Sequence, residues 1–216
     1  MAEFDYILFD LDGTVSDSVE GITNSVMHAE RRYGRPASTR EELLKFVGPP
    51  LAEMFEKHLG VDREGGLLAV EYYREYYNDK GIFENRIYDG IEDVLKTLHD
   101  NGKTVLLATS KPEVYAVRIL EHFGLAQYFD HICGALLHGR TDKAEVIEYA
   151  LSTAGIIDRN RFLMVGDRMH DILGAKKTGL RSCGVLFGYG SLEELNEIGP
   201  DFIAETPMDI LKFALM

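Results

Sequence analysis

Cysteine is scarce, with only Cys133 and Cys183 among 216 residues. Both sit in apolar, strand-like segments and have no metal-ligand spacing between them. This argues against a disulfide framework or a cysteine-held metal, and they read as reduced core thiols. Long apolar runs are also missing, since none approaches the ~20 residues of a membrane span. The opening Met1-Ala2-Glu3-Phe4-Asp5 carries acids where a secretory leader needs basic groups, so the expected compartment is the cytoplasm and no membrane partner is expected. There is no internal repeat and no low-complexity segment. Basic charge is in deficit: 23 Lys and Arg face 36 Asp and Glu, a net charge of −13. A field of that sign repels nucleic-acid backbones and anionic membranes, so no nucleic acid is expected as a partner. A small phosphorylated metabolite stays compatible, because a bound cation and a few placed donors reverse the field within one cleft.

What is present is ordinary globular composition, 45% apolar and 27% charged, in a chain long enough for one packed domain and a smaller appendage. Residues 6–9 form a short apolar run that stops at Asp10, Asp12 and Gly13, which reads as a buried strand entering a turn. Comparable runs recur at 104–108, 132–135, 162–165 and 182–186, separated by stretches of helical spacing. That alternation predicts a parallel sheet with crossover helices, an α/β fold with a Rossmann-like core. Residues 17–85 break the rhythm, with helical spacing at 19–33, 41–47, 51–59 and 67–77 and no convincing strand. The expected division is therefore 1–15 with 86–216 as the α/β core and 16–85 as an inserted α-helical domain. Within the insert, Tyr72, Tyr73, Tyr76 and Tyr77 read as packing rather than ligand stacking.

In an open parallel sheet the ligand crevice lies beyond the carboxyl ends of the strands. Asp10, Asp12 and Thr14 follow the first run, Thr109 and Ser110 the second, and Gly166, Asp167 and Asp171 the fourth, while Lys143 opens the helix after the third. Carboxylates brought within ~4 Å repel by ~4 kcal/mol per pair at an effective dielectric of 20, so a cation belongs among them. A few carboxylates with room for water and a phosphate oxygen suit Mg²⁺ better than Ca²⁺. Asp10 is placed as a nucleophile toward phosphorus, and Asp12, across a turn allowed by Gly13, as general acid and base. Thr109, Ser110 and Lys143 would serve phosphoryl oxygens, with backbone N–H groups at a helix N-terminus after the second strand as an anion seat.

Each residue also has an ordinary explanation. Asp10 to Gly13 could be only a turn, and Ser110 with Glu113 a capping box with Pro112 in the first turn. Asp142 with Glu145 could start a helix whose Lys143 is merely solvated. Asp167 could be a cap and Asp171 a solvent-facing acid, with Arg168 and His170 as surface groups. Those explanations do not account for four such coincidences, in order, at the ends of successive strands.

The order Asp10-Leu11-Asp12-Gly13-Thr14, then Thr109-Ser110, then Lys143, then Gly166-Asp167 with Asp171, resembles all four motifs of the haloacid dehalogenase superfamily. The likeness spans nearly the whole chain and is closest to the phosphoglycolate phosphatase-like enzymes with a helical C1 cap. Gly166 to Asp171, followed by Gly188-Tyr189-Gly190, looks more like a 5′-nucleotidase subset. The resemblance implies a magnesium-dependent phosphatase acting on a small phosphate monoester through an aspartyl-phosphate on Asp10. It assigns Asp10, Asp12 and Lys143 to catalysis, with Asp10, Asp167 and the Asp12 backbone carbonyl as metal ligands. Gly13, Thr14, Thr109 and Ser110 would bind substrate, together with Gly48 in the cap loop Gly48-Pro49-Pro50-Leu51, and Asp171 would sit behind the metal or orient the lysine. Ala144 stands where many relatives have proline. The alternatives are a sugar phosphomutase of the same superfamily, disfavoured because Ile22 stands near the position of a mutase histidine, and a non-catalytic metabolite-binding module. A monomer and a homodimer are both compatible with the sequence.

Overall fold

A computed structural model of the chain describes residues 4–137 and 139–216. Met1, Ala2 and Glu3, on which part of the leader reading rests, lie outside them. In chain order, strand β1 (Tyr6–Phe9) is followed by the two-residue strand β2 (Ser16–Asp17) and helices α1 (Val19–Arg32), α2 (Arg40–Leu43), α3 (Leu51–Leu59) and α4 (Arg63–Tyr76). The two-residue strand β3 (Arg86–Ile87) and α5 (Ile91–Asp100) lead into β4 (Thr104–Pro112), α6 (Glu113–His122), β5 (His131–Ala135) and α7 (Lys143–Ala154). The chain closes with β6 (Phe162–Gly166), α8 (Met169–Thr178), β7 (Arg181–Val185), α9 (Leu192–Ile198), β8 (Phe202–Ala204) and α10 (Asp209–Ala214). These elements form two compact units, one running up to Ser16 and resuming at Ile87, the other Asp17–Arg86.

The first unit is a six-stranded parallel sheet in the order β5-β4-β1-β6-β7-β8. Ile7, Leu8 and Phe9 are all fully buried, so β1 is covered on both faces and shows no apolar alternation, as expected for a central parallel strand. On one face Leu8, Leu106, Ala108 and Met164 pack with Val146, Ile147 and Ala150 of α7 and Ala175 of α8. Each Val, Leu, Ile or Met among these contributes roughly 1.5–3 kcal/mol of burial. Cys133 and Cys183 are free and buried, and burial pushes their thiols up to about 11 and about 12. Register places the site: Phe9 pairs with Leu107 on one side and Val165 on the other, so β1, β4 and β6 deliver their following residues at one level.

The structure departs from the sequence expectations in places. β4 continues past residue 108 to Pro112, because Pro112 pairs with Ala135 after a register shift and keeps the polar residues 109–111 extended. β8 was not anticipated, since three residues give too short a pattern to read.

In the second unit α4 packs against α1 and α3, burying Val26 and Ala29, Phe55 and Leu59, and Ala69, Val70 and Tyr73 at helical spacing. The tyrosines pack: Tyr73 stacks on Tyr77 at 5.2 Å and Tyr72 meets Tyr33 edge-on, while the Tyr76 hydroxyl donates to Glu84 at 2.7 Å. Buried Glu30 accepts from the Ser38 N–H and pairs with His58 at 2.8 Å, tying the loop after α1 to α3. Arg86 binds Asp17 at 2.6 Å, joining the two ends of this unit. Among the described residues, no helix is long and apolar enough to cross a membrane.

Candidate active site

Asp10 follows β1 directly, and its N–H donates to the Val165 carbonyl at 2.9 Å, so the sheet still holds the backbone where the carboxylate branches off. Lys143 comes to it from the first turn of α7. Asp142 caps that helix by accepting the Ala144 N–H at 2.9 Å, a bond that a proline at 144 could not supply. The Lys143 side chain is only 5% exposed, which removes the solvated-surface explanation. Its ammonium lies 2.7 Å from Asp10 Oδ1, 2.7 Å from Asp171 Oδ1 and 2.9 Å from the Ala108 carbonyl oxygen.

Asp171, in the first turn of α8, is buried rather than solvent-facing, and its other oxygen accepts the Arg168 N–H at 3.0 Å. Arg168 itself donates to Glu194 at 2.9 Å, and His170 is exposed. Asp167 follows β6 and is fully buried; its Oδ2 accepts the Tyr189 N–H at 2.8 Å, while its Oδ1 has no hydrogen-bond partner. Carboxylate oxygens of Asp10, Asp167 and Asp171 all lie within 4.8 Å of one another.

The turn after β1 is shaped by close approach. Gly13 has φ 87°, and a Cβ there would lie 2.2 Å from Asp167 Oδ2. Asp12 Oδ2 lies 2.8 Å from the Lys111 ammonium, and its Oδ1 is buried without a hydrogen-bond partner. Thr14 is fully buried, with its hydroxyl likewise unpartnered. Thr109 is buried and its Oγ1 accepts the Lys111 N–H at 3.2 Å, whereas Ser110 is half-buried.

The expected capping box at Ser110 does not form. Pro112 takes the N-cap position of α6, and Glu113 accepts instead from the Gly134 N–H at 3.1 Å, because β4 runs on to Pro112, which pairs with Ala135. Thr109 and Ser110 are thus strand residues rather than a helix N-terminus. Gly48 belongs to the helical unit, where it is exposed with φ 104°.

Two parts of the site escaped the sequence reading. Lys111 was overlooked because the apolar run ends at 108; extending the strand by its two-residue period would have put Thr109 and Lys111 on one side. The segment Gly188-Tyr189-Gly190 was noticed only for its resemblance. It lies against Asp167 so closely that a Cβ at Gly188 would be 2.2 Å from the Gly13 carbonyl, and one at Gly190 would be 1.9 Å from the Asp167 carbonyl.

Burial dominates the electrostatics. It raises the Asp10 carboxyl to about 6, with Lys143 opposing and Asp171 and Asp12 adding to the rise. Asp167 is pushed well above the usual carboxylate range by burial and then by Asp171 and Asp10. Burial pulls Lys143 down, but the neighbouring Asp10 and Asp171 outweigh it and hold the ammonium above its ordinary value. The buried, unpartnered Asp167 Oδ1 beside two further carboxylates is a donor set of hard oxygens in which the Lys143 ammonium reaches Asp10 and Asp171 and leaves Asp167 Oδ1 without a partner. That set fits a small divalent cation such as Mg²⁺.

Residues 7–185 match the haloacid dehalogenase-like hydrolase family. The chain is 44% identical over 195 residues to a 5′-nucleotidase of Pseudomonas aeruginosa, covering 90% of this chain and 88% of that one. It is 37% identical over 210 residues to the tyrosine-protein kinase PtkA of Mycobacterium tuberculosis, covering 96% of this chain and 68% of PtkA. A crystal structure of a predicted phosphatase from Clostridium acetobutylicum superposes with a TM-score of 0.93 at 44% identity, covering 99% of each chain. The chain belongs to the haloacid dehalogenase-like hydrolase family and is an enzyme of its phosphatase type.

Proposed function

We propose that the chain is a Mg²⁺-dependent phosphatase that hydrolyses a small phosphate monoester through an aspartyl-phosphate on Asp10. The observation that carries this reading is the buried Asp10 carboxylate, held at 2.7 Å by Lys143 within reach of Asp167 and Asp171. Mg²⁺ held by Asp10, Asp167 and the Asp12 main-chain carbonyl would supply the positive charge that offsets the carboxylates and polarises the phosphoryl group.

The chain's own residues supply the rest. Asp10 attacks phosphorus while Asp12 protonates the departing alkoxide; Asp12 then takes a proton from the water that cleaves the acyl phosphate. Lys143, steadied by Asp171 and the Ala108 carbonyl, keeps the Asp10 carboxylate in line and offsets charge on the phosphoryl oxygens. Thr109 and Ser110, with the turn at Gly13 and Thr14, bind those oxygens.

The substrate class favoured first is a nucleoside 5′-monophosphate, from the 44% identity to a 5′-nucleotidase, with phosphoglycolate-like monoesters next. The test is a screen of phosphorylated metabolites for released phosphate, with Asp10→Asn and excess EDTA as controls. Release abolished by either control is the expected result. Wild-type turnover by folded Asp10→Asn rules out the nucleophile, and undiminished hydrolysis in EDTA rules out the metal. A phosphorylated isomer formed without free phosphate would identify a mutase.

A further inference from the structure

We infer that Lys111 is a positioning residue for the acid and base chemistry of Asp12. This rests on the aspartyl-phosphate reading above. Lys111 and Asp12 are both largely buried, with side chains 6% and 12% exposed, and Lys111 Nζ lies 2.8 Å from Asp12 Oδ2. A buried ammonium at that distance commits one carboxylate oxygen. The other, Oδ1, is buried and has no hydrogen-bond partner, which is costly unless a reacting group supplies one.

The geometry therefore divides the two oxygens of Asp12. Lys111 anchors Oδ2, and Oδ1 is left for the leaving oxygen and then for water. Lys111 is itself placed near the end of β4, in the register shift between Thr109 and Pro112, where the Thr109 Oγ1 accepts the Lys111 N–H at 3.2 Å. In the first step the Asp10–phosphorus bond forms as the phosphorus–alkoxide bond breaks, and the proton passes from Asp12 to the alkoxide. In the second, water attacks phosphorus, the Asp10–phosphorus bond breaks, and Asp12 recovers a proton from that water. Lys111 touches neither phosphorus nor the transferred proton.

The test compares kcat/KM for two monoesters, because kcat/KM reports only steps up to loss of the alcohol. One is an alkyl phosphate, such as a nucleoside 5′-monophosphate, whose alkoxide needs a proton. The other is p-nitrophenyl phosphate, whose phenolate departs without one. Lys111→Met should lower kcat/KM for the alkyl ester by about 100-fold and for the aryl ester by no more than roughly threefold. Lys111→Arg should recover part of the alkyl-ester loss, and Lys111→Met added to Asp12→Asn should cost nothing further.

Equal losses for both esters would make Lys111 a phosphate contact or a structural residue, and no loss for either would leave it without a role. Both outcomes overturn the inference. Should Lys111→Met not fold, the same ratio is read on Lys111→Arg, with a ratio of one overturning it. Asp10→Asn run alongside separates the two readings: if it retains turnover, the nucleophile assignment fails, whatever Lys111 does.

Discussion

Asp10, the proposed nucleophile, sits where its own ionisation is disfavoured. Its carboxyl is raised from 3.8 to about 6, chiefly by burial, and it depends on Lys143 to remain charged at neutral pH. Between about pH 4 and 6 the folded chain holds this proton more tightly than the unfolded chain, so folding stability falls as pH rises through that window. For the metal-free protein the loss from this group is about 3 kcal/mol. Urea unfolding in EDTA at pH 4 and pH 7 should show the wild type losing that much more stability than Asp10→Asn does. Equal losses would mean that the buried carboxyl titrates as it does in water.

Among the secondary elements, the ends matter more than the middles. α7 is anchored by the Asp142 cap, and the next residue is Lys143, so the cap also sets where the lysine starts. Asp142→Ala should cost about 1 kcal/mol in urea unfolding and lower kcat, since a frayed first turn releases the ammonium from Asp10. The loop after β7 acts on Asp167 in a similar way. A methyl at Gly190 would come within 1.9 Å of the Asp167 carbonyl, and neither backbone can yield easily. Gly190→Ala should destabilise the protein by roughly 1–3 kcal/mol and weaken Mg²⁺ binding in calorimetry. Wild-type values for both would show that the loop does not hold Asp167 in place.

The whole molecule carries a net charge of −13, and part of that excess is gathered at one site, where Asp10, Asp167 and Asp171 meet. A cation bound there stabilises only the folded state, because the unfolded chain scatters its ligands. Mg²⁺ at 100 times its Kd should add about 2.7 kcal/mol and raise Tm accordingly. Asp167→Asn should abolish that rise, because it removes the negative charge and, with the amide oxygen kept on the Tyr189 N–H, turns an NH2 toward the ion. A full Mg²⁺-dependent rise in this variant would place the ion elsewhere.

The sequence by itself determined the parallel α/β core and the order of the acids, because apolar periodicity is a property of neighbouring residues and survives without a fold. It also pointed to Asp10, Asp12, Thr109, Asp167 and Asp171, which follow apolar runs, and to Lys143, which opens the helix after one. Only the tertiary structure decided which partners they have. Lys143 meets Asp10 across 133 residues of chain, Lys111 stands beside Asp12, and the Gly188 to Gly190 segment closes on Asp167. Those contacts follow from strand register, from Phe9 pairing with both Leu107 and Val165, and register is set by long-range packing that no local pattern records.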